Sequence, residues 1–270
     1  MVCHQKDQAR GEEAGMMISE VRNIFTIVEM EARRLRHDYT DIIVRSLQPI
    51  LWLLVFGNVF SRYRVIPTGG YTYMQFVAPG ILAQSVLFIA IFFGIMLVWD
   101  RDSGNLSKIL VAPVSRFSII MGKCLSAGVR AIAQAVVVLV LILIIGVPLT
   151  TNPIYYLLVI PVVVLIAAVS AGISILFASL FRTRERVMGI GQLLTMPLFF
   201  TSNALYPIEM MPDWLRYIAW GNPLTYGVDI LRALMLTGDF SHILVDLGVL
   251  LGYLIVLTSV CSILLKRIME

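Results

Sequence analysis

The chain has 270 residues, of which 59% are hydrophobic and 14% charged, and its mean hydropathy is +0.86. Soluble domains carry roughly 45–50% apolar and about 25% charged residues, so both departures exclude an ordinary water-soluble domain and point to lipid as solvent. The formal net charge of +4 does not by itself indicate nucleic acid, because Lys and Arg also gather in the cytoplasmic loops of membrane proteins.

Met1–Gly15 mixes Lys6, Asp7, Arg10, Glu12 and Glu13 without an apolar core. A disordered tail over residues 1–17 is expected, with no signal peptide. Once several spans of about 20 residues are removed, little chain remains for anything else, so residues 18–270 read as one membrane domain. From Ser19 to His37, Val21, Ile24, Phe25, Val28, Ala32 and Leu35 recur at helical spacing, with Arg22, Asn23, Thr26, Glu29, Arg33 and Arg36 opposite. The pattern predicts an amphipathic helix, either lying in the membrane interface or packed on a soluble partner. The interfacial reading is preferred because a span follows at once.

Six spans are predicted, at about 42–60, 73–98, 119–145, 154–181, 187–205 and 243–265. Arg45 can snorkel from the start of the first, and Pro49 should kink it. The charge-free stretch Ala131–Phe181 is too long for one span and is broken by Gly146, Pro148, Asn152 and Pro153. With the N-terminus inside, the inner segments carry Arg22, Arg33, Arg34, Arg36, Arg101, Lys108, Arg116, Lys123, Arg182, Arg184, Arg186, Lys266 and Arg267. The outer ones carry Arg62, Arg64, Arg216 and Arg232. That bias predicts cytoplasmic N- and C-termini and a multi-pass protein of the plasma (inner) membrane.

Between the second and third spans runs Asp100-Arg101-Asp102-Ser103-Gly104-Asn105-Leu106-Ser107-Lys108-Ile109-Leu110-Val111-Ala112-Pro113-Val114-Ser115-Arg116. Leu106, Ile109 and Leu110 would share one face of a short helix that Pro113 stops, and Ser115 can cap the helix after it. Such an element is either a plain connector or a lever that a soluble partner grips. Residues 100–123, ending in Met121-Gly122-Lys123, resemble the coupling-helix signature of ABC-2 type permeases, an acidic-Arg-acidic-x-Gly-x-Leu run followed by Leu-x-x-Pro-Val-Ser and Gly-Lys. Asn105 and Lys108 depart from it.

The segment between spans five and six is too apolar for a free loop and too broken for a span. Pro207, Pro212 and Pro223 interrupt it, and Tyr206, Trp214, Tyr217, Trp220 and Tyr226 suit an interface. A short helical hairpin re-entering from the outer face is expected, buried in protein or bordering a cavity. Ser202-Asn203-Ala204-Leu205-Tyr206-Pro207, Met211-Pro212-Asp213-Trp214-Leu215, Asn222-Pro223-Leu224-Thr225-Tyr226 and Arg232 resemble the same family, with Asn203 in place of the usual glycine.

Arg130 either snorkels to the inner surface or faces a pathway. Gln134 and Gln192 suit interhelical hydrogen bonds or substrate contacts. Asp229 and Arg232, three apart, suit an ion pair. Gly122-Lys123 fails the pattern GxxxxGK[ST], because Phe117 stands five before Gly122 and Cys124 follows the lysine. With His4, His37 and His242 isolated and no HExxH, neither catalysis nor a metal or cofactor bound by this chain is expected.

The resemblance implies an all-α permease subunit without its own ATP site. It would be driven by a separate ATPase subunit carrying ATP and Mg, and paired with a second copy of itself or a paralogue among the membrane lipids. The ATPase would grip the loop at Asp100, Arg101, Asp102, Gly104, Leu106, Ile109, Leu110 and Pro113. The outer hairpin, with Asn203, Tyr206, Pro207, Pro212, Trp214, Asn222, Pro223 and Tyr226, would border the exit. Few fixed charges favour export of an amphiphilic or hydrophobic cargo such as a drug or lipid-linked molecule. A polysaccharide or lipid-linked glycan is the alternative, and a channel or membrane scaffold is the rival class.

Overall fold

The computed structural model describes residues 20–33, 39–63, 66–104, 114–150, 152–181 and 183–269. Among these it is all helix, without a strand. Helix α1 covers 20–33. It is followed by α2 (Tyr39–Tyr63), α3 (Tyr73–Asp102), α4 (Arg116–Ile144), α5 (Pro153–Leu180) and α6 (Arg184–Phe200). A single 3-10 turn, Ile208–Met210, leads to α7 (Asp213–Trp220) and α8 (Pro223–Arg232). A π-helical turn (Ala233–Thr237) precedes α9 (Ile243–Met269).

Local chemistry sets the starts. Thr72 and Gln75 form a reciprocal capping box on α3, and Ser115 Oγ accepts from Ser118 N at 3.1 Å on α4, as expected. Asn152 caps α5 with Pro153 at its first position, where proline's missing N–H costs nothing.

The described parts of α3, α4, α5 and α9 are long and apolar enough to cross a membrane. They correspond to the second, third, fourth and sixth expected spans. Helix α2 contains a shorter apolar run, Val44–Val55. Helix α6 differs from expectation: it ends at Phe200, not near Leu205, and its 17 residues span about 25 Å, short of a hydrocarbon core of about 30 Å.

Helices α3 and α5 form the centre, with α4 beside both, α9 and α8 against α5, and α2 and α6 flanking α3. Small residues allow the close approach. A Cβ on Gly94 of α3 would come within 2.6 Å of Ser174 Cβ, while Ser174 Oγ donates to Ile91 O at 2.7 Å. The flanking helices keep apolar surface outside, with Val44, Leu47, Leu51 and Leu193 all more than half exposed.

Candidate functional site

At one end of the bundle Lys123, near the start of α4, reaches two carboxylates. Its Nζ donates to Glu31 Oε1 at 2.5 Å and to Asp100 Oδ2 at 2.6 Å, and the three side chains are 5%, 3% and 8% exposed. One cation therefore ties α1, the last turn of α3 and the first turns of α4. Beside it, Gly122 makes room for Ile27 of α1, whose side chain lies 3.0–3.1 Å from where a glycine Cβ would stand. The Gly-Lys pair thus docks α1: glycine admits the isoleucine, and lysine pairs with the acid one turn later.

The docked flank of α1 runs beside its expected apolar stripe. Ile27 and Glu31 are buried, while Val21 and Phe25, assigned to the apolar stripe, are exposed. Ile24, Val28 and Ala32 of the same stripe are half-buried. Glu31 was the residue missed. Its signal was its spacing, four residues after Ile27 on the same flank.

Of the loop residues, Asp100, Arg101, Asp102 and Gly104 are described; Leu106, Ile109, Leu110 and Pro113 lie outside the described residues. Arg101 Nε pairs with Asp102 Oδ1 at 3.0 Å. Gly104 ends α3 with φ +73°, donating its N–H to Arg101 O at 3.0 Å, which is the left-handed stop that glycine adopts without strain.

A cavity of about 600 Å³ lies against this ion triad, lined by Glu31, Asp100, Lys123, Arg130, Phe93 and Trp99 among others. Arg130 is buried with its guanidinium 5.3 Å from the Phe93 ring centroid, so it turns into the bundle. Gln134 Nε2 donates to Ser46 Oγ at 3.0 Å, an interhelical bond between α4 and α2. Gln192, exposed on α6, borders a second cavity with Arg45, Gln48 and Gln84. A smaller cavity lined by both Arg45 and Arg130 lies between these two.

At the other end the segment after α6 is held by backbone caps. The last four carbonyls of a helix need outside partners. Pro197 O accepts from Thr201 N at 2.9 Å and Leu198 O from Asn222 Nδ2 at 2.6 Å. Phe199 O accepts from Ser202 Oγ at 2.7 Å and Phe200 O from the Tyr206 hydroxyl at 2.5 Å. Asn222 also caps α8 through Leu224 N at 2.9 Å, with Pro223 next. The Tyr226 hydroxyl donates to Trp220 O at 2.6 Å. Pro207 and Pro212 immediately precede the 3-10 turn and α7, and Trp214 on α7 is exposed.

Asn203 is accommodated by pairing. Its Nδ2 donates to Asp229 Oδ1 at 2.5 Å, and its carbonyl accepts from Arg232 at 2.8 Å. Arg232 also pairs with Asp229 at 3.3 Å and lies 4.0 Å from the Phe76 ring centroid. The close packing survives next door: a Cβ on Gly80 would meet Ala204 O at 2.3 Å. In the loop before α9, the Ser241 N–H, 3.0 Å from Asp239, holds that carboxyl below its usual range.

The model of the ABC-2 type transporter family matches residues 22–236. Among curated proteins, ycf38 of Cyanophora paradoxa, a transport permease by its name, is 29% identical over 262 residues, covering 93% of this chain and 90% of the relative. Its counterpart in Porphyra purpurea is 30% identical over 201 residues, covering 72% and 67%. The daunorubicin resistance ABC transporter permease DrrB1 of Streptomyces coeruleorubidus is 26% identical over 203 residues, covering 74% and 70%.

Proposed function

We propose that this chain, which belongs to the ABC-2 type transporter family, is the membrane permease subunit of an ATP-driven exporter. The single observation that carries the mechanism is the bridge from Lys123 to Glu31 and Asp100. Asp100 begins the loop expected to meet the ATPase, Glu31 sits on α1, and Lys123 sits on α4. A push on that loop therefore reaches α1, α3 and α4 together. In this reading α1 lies at the cytoplasmic surface with Phe25 towards lipid, both termini are cytoplasmic, and α2 and α6, the latter extended by the capped segment after Phe200, complete six crossings of the plasma membrane.

The outer hairpin is α7 and α8, joined to α6 by the caps around Asn222. Ligand-independent caps suit a fixed rim around which the flanking helices move. A second copy or a paralogue would cover the exposed apolar faces of α2 and α6, and the path would run between the two chains. The resemblance to a daunorubicin resistance permease favours an amphiphilic drug or lipid-like cargo.

Copurification tests the reading first. The chain should bring down an ATPase subunit, and Lys123→Met should keep that subunit bound while abolishing ATP-dependent flux in vesicles. If no nucleotide-binding partner associates, the proposal fails.

A further inference from the structure

Gln84 sits in the middle of α3, 1% exposed, and neither its Oε1 nor its Nε2 has a hydrogen-bond partner among the described residues. A buried amide carries a strong donor and a strong acceptor, and leaving both unmade inside an apolar bundle is costly. A packing role would be filled better by leucine. The side chain borders the cavity between α2, α3 and α6, about 510 Å³ in volume, with Arg45, Gln48, Ser85 and Gln192 around it. Ser85 Oγ is committed to Leu82 O at 2.7 Å, and the Arg45 guanidinium lies 4.6 Å from the Phe92 ring centroid.

Gln48 and Gln192 open the cavity outwards, on helices whose other exposed residues are mainly apolar. Such a cleft, apolar-walled with a few convergent polar groups and of this size, has the form of a small-molecule site. Apart from Arg45 and Ser85, its polar groups are the neutral amides of Gln48, Gln84 and Gln192, which suit an uncharged hydrogen-bonding partner.

We infer that this cleft receives an uncharged hydrogen-bonding group of the transported molecule, a carboxamide, carbonyl or hydroxyl, and that Gln84 is the residue that recognises it. The apolar body of the cargo lies against Phe88 and Met196, which line the same cavity. This rests on the permease reading and gives its cargo a chemical requirement.

The test uses the full chain in lipid nanodiscs and three probes with one aromatic body: 1-pyrenebutanamide, 1-butylpyrene and 1-pyrenebutylammonium. Energy transfer from tryptophan to pyrene reads binding, with empty nanodiscs subtracting partition into lipid. The amide should bind saturably and about tenfold more tightly than the other two, the worth of one buried hydrogen bond. Gln84→Leu should bring the amide to the level of butylpyrene while its melting temperature stays equal or rises. Gln192→Leu, at the mouth, should weaken amide binding about threefold.

Equal binding of amide and butylpyrene overturns the inference, as does unchanged amide affinity in Gln84→Leu. A lower melting temperature or failed assembly of Gln84→Leu also overturns it, because that result makes Gln84 a structural contact, for example with a second copy. The ATPase subunit should still copurify with Gln84→Leu. Loss of the ATPase from the wild-type chain would instead strike the permease reading.

Discussion

At the Lys123 end of the bundle three elements meet through the tips of side chains, one cation between two carboxylates beside a cavity of about 600 Å³. At the Asn222 end, side chains bond backbone carbonyls and each closes one orphan acceptor of α6: Ser202 and Tyr206 from the segment just after it, Asn222 from the start of α8. The two solutions respond differently to displacement. Coulomb attraction falls slowly with distance, so an ion triad stays attached while its helices shift by an ångström or two. A cap depends on distance and angle and is lost over a much smaller movement. The first is suited to transmitting motion and the second to resisting it.

The largest effect that would break this contrast is at Lys123. Replacing it with methionine removes the cation between two buried carboxylates, and breaking a buried pair costs about 3–5 kcal/mol. Thermal melting in detergent should show the loss. A change no larger than that of a surface substitution, about 0.5 kcal/mol, would mean that the triad is not holding the helices together. Next comes Asn222→Ala, which frees Leu198 O and the first turn of α8 together. About 2 kcal/mol is expected from one lost cap and one buried unpaired acceptor, with faster amide exchange over 198–206.

Gly104→Ala should be milder, about 1–2 kcal/mol from the left-handed backbone, because among the described residues no atom stands within 4 Å of the added Cβ. Its flux should fall by more than its stability explains if the loop transmits force; vesicle transport beside melting data separates the two. Smallest for stability is Glu31→Gln, about 1 kcal/mol or less, since a glutamine oxygen can still accept from Lys123 while Asp100 keeps the charge. Protease sensitivity of α1 should nonetheless rise, which sharpens the contrast by showing that charge adds to the Gly122–Ile27 fit in docking that helix.

Much of this architecture is legible in the residues. Long apolar runs, the breakers Gly146, Pro148 and Pro153, and caps such as Ser115 act locally, and local chemistry can be read locally. The ends of the bundle are less legible, because their partners are distant in sequence. Glu31 and Lys123 stand 92 residues apart, and nothing in the pattern around either one names the other. Asn222, expected only as part of the outer hairpin, caps α8, and its second duty at Leu198 depends on α8 folding back onto α6. At the stop of α6 at Phe200, the caps from Thr201, Ser202 and Tyr206 are local, and only the Asn222 contact at Leu198 comes from a distant element. Gln84 passed unnoticed because a lone glutamine in an apolar span is conspicuous only once its surroundings show no partner.

Motion carried by the triad can be measured directly. Spin labels at Phe25→Cys on α1 and Ile144→Cys at the far end of α4, both exposed positions, would report the distance between the elements by pulsed resonance. The chain would be assembled with its ATPase subunit. Adding ATP and vanadate should shift that distance in the wild-type background. In Lys123→Met, with the ATPase still bound and hydrolysing ATP, the shift should vanish. The same shift in both proteins would contradict the account.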